Sequence, residues 1–171
     1  MQAIEDMFGV AIAASAEGRL DDAEAAFRAV LVMSPDHDEA QFALCLTLMN
    51  ARRFSDAVEP LTLAAGAPDA EPIRRQCLAQ AQFMTGAFDR AAETFAAADA
   101  IQPVPEGARL PWARAAAYAA LDKASAHEAL DLYVRIAGPL AEDLETVARE
   151  SFGILVAFQR LDAARALGAW L

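Results

Sequence analysis

The fold is decided by six residues at positions 18–23, Gly-Arg-Leu-Asp-Asp-Ala, because related residues return twice at a constant interval. Arg-Arg-Phe-Ser-Asp-Ala occupies positions 52–57, and Gly-Ala-Phe-Asp-Arg-Ala occupies positions 86–91. Both offsets are 34 positions. A fixed period of this length is the signature of stacked structural repeats.

The same register continues beyond this stretch. The matched sets are Leu20, Phe54 and Phe88; Ala23, Ala57 and Ala91; Phe27, Leu61 and Phe95; Val30, Ala64 and Ala98; and Pro35 with Pro103, the middle copy having Pro68 one residue early. In the first copy the apolar residues from Ala23 to Leu31 follow the spacing of one face of an amphipathic helix. Asp21, Asp56 and Asp89 fall in or beside the first turn of these helices, where a carboxylate suits the positive end of the helix dipole.

This pattern resembles the tetratricopeptide repeat, a helix–turn–helix unit of about 34 residues. The small turn residue of that family is met by Gly18 and Gly86, and its closing proline by Pro35 and Pro103, whereas Arg52 departs from it. The first helices also depart, since they lack the Trp, Leu-Gly and Tyr common in the family. The resemblance implies an all-α fold, a right-handed α-solenoid of about five antiparallel helix pairs in one domain over residues 1–171.

The predicted pairs are residues 4–37, 38–71 and 72–105, a degenerate pair at 110–139, and a capping pair at 141–171. In the fourth pair, Ala129 and Tyr133 repeat the small-then-aromatic step 38 positions after Ala91 and Phe95, which predicts a short insertion around Val104–Gly107. Pro111 is expected to stand at the start of a helix over 110–122. Solenoid ends are usually atypical because they must cap the stack.

The composition excludes several classes of function. With 14 basic and 25 acidic side chains the net charge is −11, whereas nucleic-acid binding needs a basic face. Glu5 and Asp6 stand where a signal peptide would carry Lys or Arg, and no apolar stretch is long enough to span a membrane. We therefore expect a cytoplasmic protein with no nucleic-acid partner and no membrane insertion. The 44 Ala residues favour closely packed helices.

The residues that could support catalysis are few. His37 lies in the acidic stretch 36–39, where we expect Asp36 or Asp38 to cap a helix rather than His37 to bind a metal. Cys45 and Cys77 lie among apolar neighbours and are interpreted as small buried side chains rather than reactive thiols. The two basic pairs, at 52–53 and 74–75, are interpreted as solvated and alternatively as a contact for an acidic partner. The sequence therefore predicts no enzymatic activity, no metal and no cofactor.

The resemblance places ligands on the concave wall formed by the first helices. In this register the predicted peptide-binding residues are Glu5, Phe8, Ile12, Glu39, Phe42, Leu46, Met49, Asn50, Ile73, Gln76, Gln80, Phe83, Met84 and Tyr118. With Leu121 they include ten large apolar side chains, and at ~1.5 kcal/mol each these suggest an upper limit on the order of 15 kcal/mol of unused burial. A patch of that kind usually marks an interaction site.

The predicted partner is an apolar or amphipathic peptide. Members of the family that clamp a carboxylate use Lys, Arg and Asn in the groove, whereas Phe8, Ile12 and Phe42 stand at the matching places here. Carboxylates such as Glu5 and Glu39 favour a partner with basic flanks. The function predicted is a scaffold, adaptor or chaperone. Size, acidity and an apolar groove also resemble the bacterial repeat-type chaperones that hold secreted translocator proteins.

Two alternatives stay open at this stage. An alternative explanation for some of the groove residues is packing against the next repeat or under the C-terminal helices. The chain is also compatible with self-assembly into a homo-oligomer through the groove or through its C-terminal end, with Trp170 as an anchor.

Overall fold

The computed structural model describes residues 2–63, 71–122 and 124–171. These residues form ten α-helices and no strand, so the predicted all-α helical repeat is confirmed. The helices are α1 (Gln2–Ala16), α2 (Leu20–Met33), α3 (Asp38–Asn50), α4 (Phe54–Leu63), α5 (Glu71–Met84), α6 (Phe88–Asp99), α7 (Glu106–Ala120), α8 (Ala126–Ala137), α9 (Leu144–Ala157) and α10 (Leu161–Gly168). A 3₁₀ turn at Gly138–Leu140 follows α8.

The chain divides into two compact units, residues 1–81 and 82–171, with the boundary inside α5. The sequence prediction is a single domain over the whole chain. Unit 1 has a core of small and aromatic residues, in which Ala23, Phe27 and Val30 of α2 are fully buried. Unit 2 has its own core, in which Phe88, Tyr133 and Leu155 are fully buried.

Four of the five helix pairs are joined by the same short turn. Its central residue has a positive φ in each case, +76° at Gly18, +59° at Arg52, +81° at Gly86 and +58° at Gln159. In the first turn the N–H of Gly18 donates to the carbonyl of Ser15 at 3.1 Å, and the N–H of Arg19 donates to the carbonyl of Ala14 at 2.9 Å. The other three turns repeat both bonds. This pair of bonds is the Schellman motif, which satisfies carbonyls at a helix end through a left-handed residue.

The last pair uses this turn although its sequence is degenerate. The residues at 159–162, Gln-Arg-Leu-Asp, follow α9 in the way that those at 18–21, Gly-Arg-Leu-Asp, follow α1. The N–H of Arg160 donates to the carbonyl of Leu155 at 2.8 Å. The Arg-Leu-Asp sequence shared by the two turns predicts the turn of the last pair. It is hard to recognise because Gln159 stands where the first turn has Gly18.

The predicted insertion around Val104–Gly107 is wrong. The start of α7 lies 18 positions after the start of α6, the same interval as from α2 to α3. The extra length lies instead in α7 and the connection after it. Helix α8 begins 20 positions after the start of α7, whereas α4 begins 16 positions after the start of α3.

The helix boundaries of the fourth pair also correct one prediction. Pro111 lies inside α7 rather than at its start, since the helix begins at Glu106 and is preceded by Pro105. At the start of α8, Ser125 accepts from the N–H of Glu128, whose carboxylate accepts in turn from the N–H of Ser125. Such a capping box satisfies two N–H groups that the helix leaves unpaired.

The other sequence landmarks lie as the pattern predicts where the structure describes them. Pro35 and Pro103 follow the ends of α2 and α6, and the first turns of α2, α4 and α6 contain Asp21, Asp56 and Asp89. Ala64 and Pro68 lie outside the described residues.

Candidate functional site

The candidate site in unit 1 is a surface formed by two neighbouring first helices. Phe8 and Ile12 of α1 occupy the same repeat positions as Phe42 and Leu46 of α3, one repeat later, and Met49 follows about one turn after Leu46. Because α1 and α3 are in contact and have equivalent positions in their pairs, these residues share one side of the unit. We call this set of five residues the α1–α3 face.

The α1–α3 face is apolar and partly exposed. Ile12 is 44% exposed and Leu46 is 36% exposed, whereas Phe8, Phe42 and Met49 are half-buried and rest against the core of unit 1. The two exposed aliphatic side chains therefore lie among aromatic and Met side chains that the core holds in place.

Phe8 is fixed by two aromatic neighbours. Its ring lies 5.8 Å from the ring of Phe27 and 4.9 Å from the imidazole of His37. Since Phe27 is fully buried, Phe8 links the face to the core of unit 1. His37 is absent from the predicted site residues, although its contact with Phe8 places it at the edge of the face.

His37 also corrects the predicted cap of α3. The N-cap residue is His37 itself, whose Nδ1 accepts from the N–H of Ala40 at 3.3 Å, rather than Asp36 or Asp38. This bond requires an unprotonated Nδ1 and leaves Nε2 as the protonated nitrogen of the neutral ring. Among the described residues no group of three or more His, Cys, Asp or Glu side chains is arranged to hold a metal ion.

Carboxylates surround the N-terminal end of the face. Glu5 and Glu39 are exposed at equivalent positions of α1 and α3, and Asp6, Asp36 and Asp38 are exposed close to them in the chain. Within the described parts of the chain, none of these five carboxylates forms an ion pair, whereas other acidic residues of unit 1 are paired with arginines. The end of the face is therefore acidic and open to a cationic partner.

Asn50 lies apart from these carboxylates. It is exposed at the last residue of α3, at the opposite end of the helix from Glu39.

The arginine pairs of unit 1 are largely used within the unit. Arg53 binds Asp56 at 2.6 Å and also pairs with Glu24. Arg74 donates to the carbonyl of Leu61 at 2.6 Å, and Arg75 pairs with Glu71 at 2.6 Å. Arg52 is exposed in the turn after α3. These contacts indicate that Arg53, Arg74 and Arg75 have a structural role within unit 1.

The predicted residues of α5 fall on both sides of the unit boundary. Ile73 is 53% exposed, and Gln76 and Gln80 are half-buried, all three in unit 1. Phe83 and Met84 are half-buried in unit 2, where the ring of Phe83 lies 5.6 Å from Phe88 and 6.1 Å from Tyr118. Phe83 is therefore largely committed to the core of unit 2.

Tyr118 does not lie on an exposed wall. It is 1% exposed, its hydroxyl is 2.8 Å from the Ser151 Oγ of α9, and its ring meets Phe88 edge-on at 4.8 Å. Burial raises the pKa of its hydroxyl, an effect that the bond to Ser151 partly opposes. The prediction that Tyr118 faces a binding groove is wrong, because α9 covers this part of α7. Leu121 is buried as well.

Ion pairs hold this C-terminal cover in place. Arg114 of α7 binds Glu142 at 2.7 Å and Glu150 at 3.0 Å, and Tyr133 donates to Glu142 at 3.2 Å. In unit 2, residues of the last pair thus cover the side of α7 that the repeat register assigns to the groove. The alternative that some groove residues pack under the C-terminal helices applies to Tyr118 and Leu121.

The apolar surface left exposed by the predicted groove residues is consequently smaller than the sequence suggests. Of the ten large apolar side chains, Tyr118 and Leu121 are buried and five are half-buried, which leaves Ile12, Leu46 and Ile73 as the well-exposed members. Between 36% and 53% of each of these three is exposed, which corresponds to about 1 kcal/mol per side chain on covering.

A second apolar surface is not identified by the sequence analysis. Phe152 and Val156 of α9 and Leu161 of α10 are 40%, 44% and 56% exposed and line one open depression in unit 2. The spacing of Phe152 and Val156 was a visible signal of a helical face. The capping role predicted for the last pair does not account for their exposure.

No helix in the described part of the chain is long and apolar enough to cross a membrane.

Comparisons with known proteins agree with the repeat pattern and the fold. The sequence model of the tetratricopeptide repeat family matches residues 14–74, which contain α2, α3 and α4. No curated protein sequence matches the chain. The structure is similar to that of MamA from AMB-1, with 23% identity, a TM-score of 0.67, and coverage of 84% of this chain and 77% of that one.

A second similar structure is TTC0263, described as a thermophilic TPR protein of Thermus thermophilus. It has 19% identity and a TM-score of 0.54, with coverage of 97% of this chain and 88% of that one. At these identities the likeness concerns the fold alone. The resemblance carried by the repeat period is thus supported by the family match over residues 14–74 and by similarity to solved tetratricopeptide-repeat structures.

Proposed function

We propose that the chain is a non-catalytic protein-binding module, a scaffold, adaptor or chaperone, whose unit 1 binds an amphipathic peptide with basic flanks on the α1–α3 face. The observation that carries the proposal is the exposure of Ile12 and Leu46 at equivalent positions, next to carboxylates that have no ion-pair partner among the described residues. Helix-in-groove recognition combines an apolar stripe with a charged edge in this way.

The apolar part of the contact is expected to supply only part of the binding energy. Ile12 and Leu46 offer about 1 kcal/mol each, whereas a dissociation constant of about 1 μM requires about 8 kcal/mol. Phe8, Phe42 and Met49 add contact area without losing their own packing. We therefore expect a micromolar or weaker complex whose rate of formation depends on charge.

The acidic edge of the α1–α3 face favours a partner with positive charge. Glu5 and Glu39 lie at its edge and are free to pair with Lys or Arg of a peptide. Two copies of this chain meeting through the α1–α3 face would bring like charges together, which costs free energy. The face therefore favours a basic peptide over self-association, the alternative left open by the sequence.

The first test uses a fluorescent helical peptide long enough for about five helical turns, with Leu at helical spacing and Lys and Arg at both ends. Its fluorescence anisotropy is measured against the full chain, together with a charge-reversed peptide that has the same Leu residues and Glu in place of the basic residues. We expect the basic peptide to bind and the charge-reversed peptide to bind at least tenfold more weakly. The difference should decrease with salt, because exposed charges are screened.

Leu46→Asp is the matching change in the protein. Since Leu46 is partly exposed, circular dichroism should show little loss of helicity, while the affinity for the basic peptide should fall at least tenfold. Equal binding of the two peptides, or unchanged affinity in a folded Leu46→Asp variant, would contradict the proposal.

A further inference from the structure

We propose that the outer side of the last helix pair is a contact surface between two copies of this chain. The surface is formed by Phe152 and Val156 of α9 and by Leu161, Arg165 and Gly168 of α10, and we call it the tail face. It lies in unit 2 and shares no residue with the α1–α3 face, so this inference is independent of the proposed function.

The tail face has the character of an interface. Phe152 and Val156 are about one helical turn apart, and with Leu161 they line a single open depression. Gly168 forms part of its floor, since a Cβ there would lie 3.1 Å from the Phe152 ring. In repeat proteins an outer surface that is not covered by another pair is normally polar. Three large, half-exposed apolar side chains are the opposite of this arrangement.

The charge balance of the last pair permits a second copy to be the occupant. Residues 144–168 carry three carboxylates, Glu145, Glu150 and Asp162, and three arginines, Arg149, Arg160 and Arg165, whereas the whole chain carries a net charge of −11. Two copies would therefore approach through the last pair without the repulsion expected at the acidic surfaces of unit 1.

The tail face also offers one ion pair that two copies could exchange. Arg165, which lines the depression, binds Asp162 at 2.8 Å within one copy, and both side chains are well exposed. A two-fold arrangement would bring Arg165 of each copy towards Asp162 of the other while the apolar side chains meet at the centre. Such an isologous contact closes on itself and stops at a dimer.

The size of the tail face predicts a weak dimer. The exposed parts of Phe152, Val156 and Leu161 amount to on the order of 300 Å². A stable interface usually buries about 800 Å² on each partner. We therefore expect reversible association in the micromolar range or weaker.

The test is sedimentation equilibrium of the full chain at concentrations from the low micromolar range to a few hundred micromolar. The weight-average mass should rise from the chain mass of 18.2 kDa towards twice that value and no further. Val156→Asp should shift the dissociation constant of the dimer at least tenfold upward. Leu161→Glu is a second variant at the same surface with the same expected shift, and circular dichroism establishes that each variant is folded.

Val134→Asp is the matched control, because Val134 of α8 is 40% exposed in the same unit and lines a different depression from the tail face. It should associate like the unchanged chain. A chain that stays monomeric at all concentrations, a mass that keeps rising beyond a dimer, or a folded Val156→Asp variant that associates as well as the control would overturn the inference.

Discussion

At the residue scale, the turns between helices depend on positions with a positive φ. Gly18 and Gly86 occupy equivalent positions, but their surroundings differ. A Cβ at Gly18 would meet nothing within 4 Å, whereas a Cβ at Gly86 would lie 2.9 Å from the Cε1 of Phe158. The ring of Phe158 also meets Phe88 edge-on at 5.5 Å. The absence of a side chain at Gly86 therefore allows both the positive φ of the turn and the close packing of the Phe158 ring.

This difference gives a pair of matched substitutions. Gly18→Ala should cost about 1 kcal/mol of unfolding free energy, because a Cβ is strained in the left-handed conformation. Gly86→Ala should cost about 2–3 kcal/mol, because it also displaces Phe158 from Phe88. Urea denaturation measures both changes in unfolding free energy.

A double-mutant cycle isolates the part due to the ring. In a Phe158→Ala background, Gly86→Ala should cost no more than Gly18→Ala, because the ring is no longer there to be displaced. A large extra cost that persists without Phe158 would show that the contact with the ring is not its cause.

The cysteines give a residue-scale prediction of reactivity. Burial, with a smaller contribution from Cys77, raises the pKa of Cys45 to about 12, and burial raises the pKa of Cys77 as well. Only the thiolate reacts, and at pH 8 on the order of 1 in 10,000 Cys45 thiols would be ionised. We expect slow reaction of the folded chain with a disulfide reagent such as DTNB, and rapid release of two equivalents in denaturant. Rapid native labelling of Cys45, identified by mass spectrometry, would contradict this account.

At the element scale, one turn geometry is built from four different sequences. Gly18, Arg52, Gly86 and Gln159 all adopt a positive φ, and each turn closes with the same backbone hydrogen bonds. Arg52 and Gln159 are strained in this conformation, since a Cβ is unfavourable there. The turns are therefore imposed by the packing of the paired helices as much as by the turn residue.

Replacing these strained residues should stabilise the chain. Arg52→Gly and Gln159→Gly should each raise the unfolding free energy by about 0.5–1 kcal/mol, because both side chains are exposed and glycine accepts a positive φ. Ala13→Gly is the control, because Ala13 is exposed in the interior of α1 and is not among the positive-φ residues. It should destabilise by about 0.5–1 kcal/mol. Thermal denaturation distinguishes the three, and a destabilising Gln159→Gly would argue against strain in this turn.

The helices also differ in how well the repeat pattern predicts them. The repeat period predicts α2 and α6 closely, because a turn, an apolar stripe and a closing proline recur together. It fails for α7, whose predicted start near Pro111 is too late, and for the cap of α3, where His37 takes a role usually filled by Asp or Ser. Local sequence propensity does not show which backbone carbonyl and N–H groups at a helix end stay unpaired in the folded chain.

The candidate site was predictable only where its residues face away from later parts of the chain. Ile12, Leu46 and Ile73 are exposed as the register predicts, whereas Tyr118 is covered by Ser151 and its neighbours in α9. The register determines which side of a helix a residue occupies. It does not determine whether a helix much later in the chain covers that side.

At the scale of the whole molecule, the two exposed apolar surfaces differ in the charge of the helix pairs that carry them. The α1–α2 pair carries six carboxylates against two arginines, whereas the α9–α10 pair is balanced. An acidic apolar surface favours a basic partner, and a neutral one permits contact between identical copies. The chain would then bind its peptide with unit 1 while unit 2 brings two copies together.

The most direct test of the central proposal compares two similar substitutions on α1. Ile12 lies on the α1–α3 face and is 44% exposed, whereas Val10 is 62% exposed on the same helix at a position that is not part of the face. Ile12→Asp and Val10→Asp add the same charge to exposed β-branched positions less than one turn apart. The dissociation constant of the basic peptide, measured by isothermal titration calorimetry, should rise at least tenfold for Ile12→Asp and less than twofold for Val10→Asp. Equal effects of the two substitutions would contradict the proposal that the α1–α3 face binds the peptide.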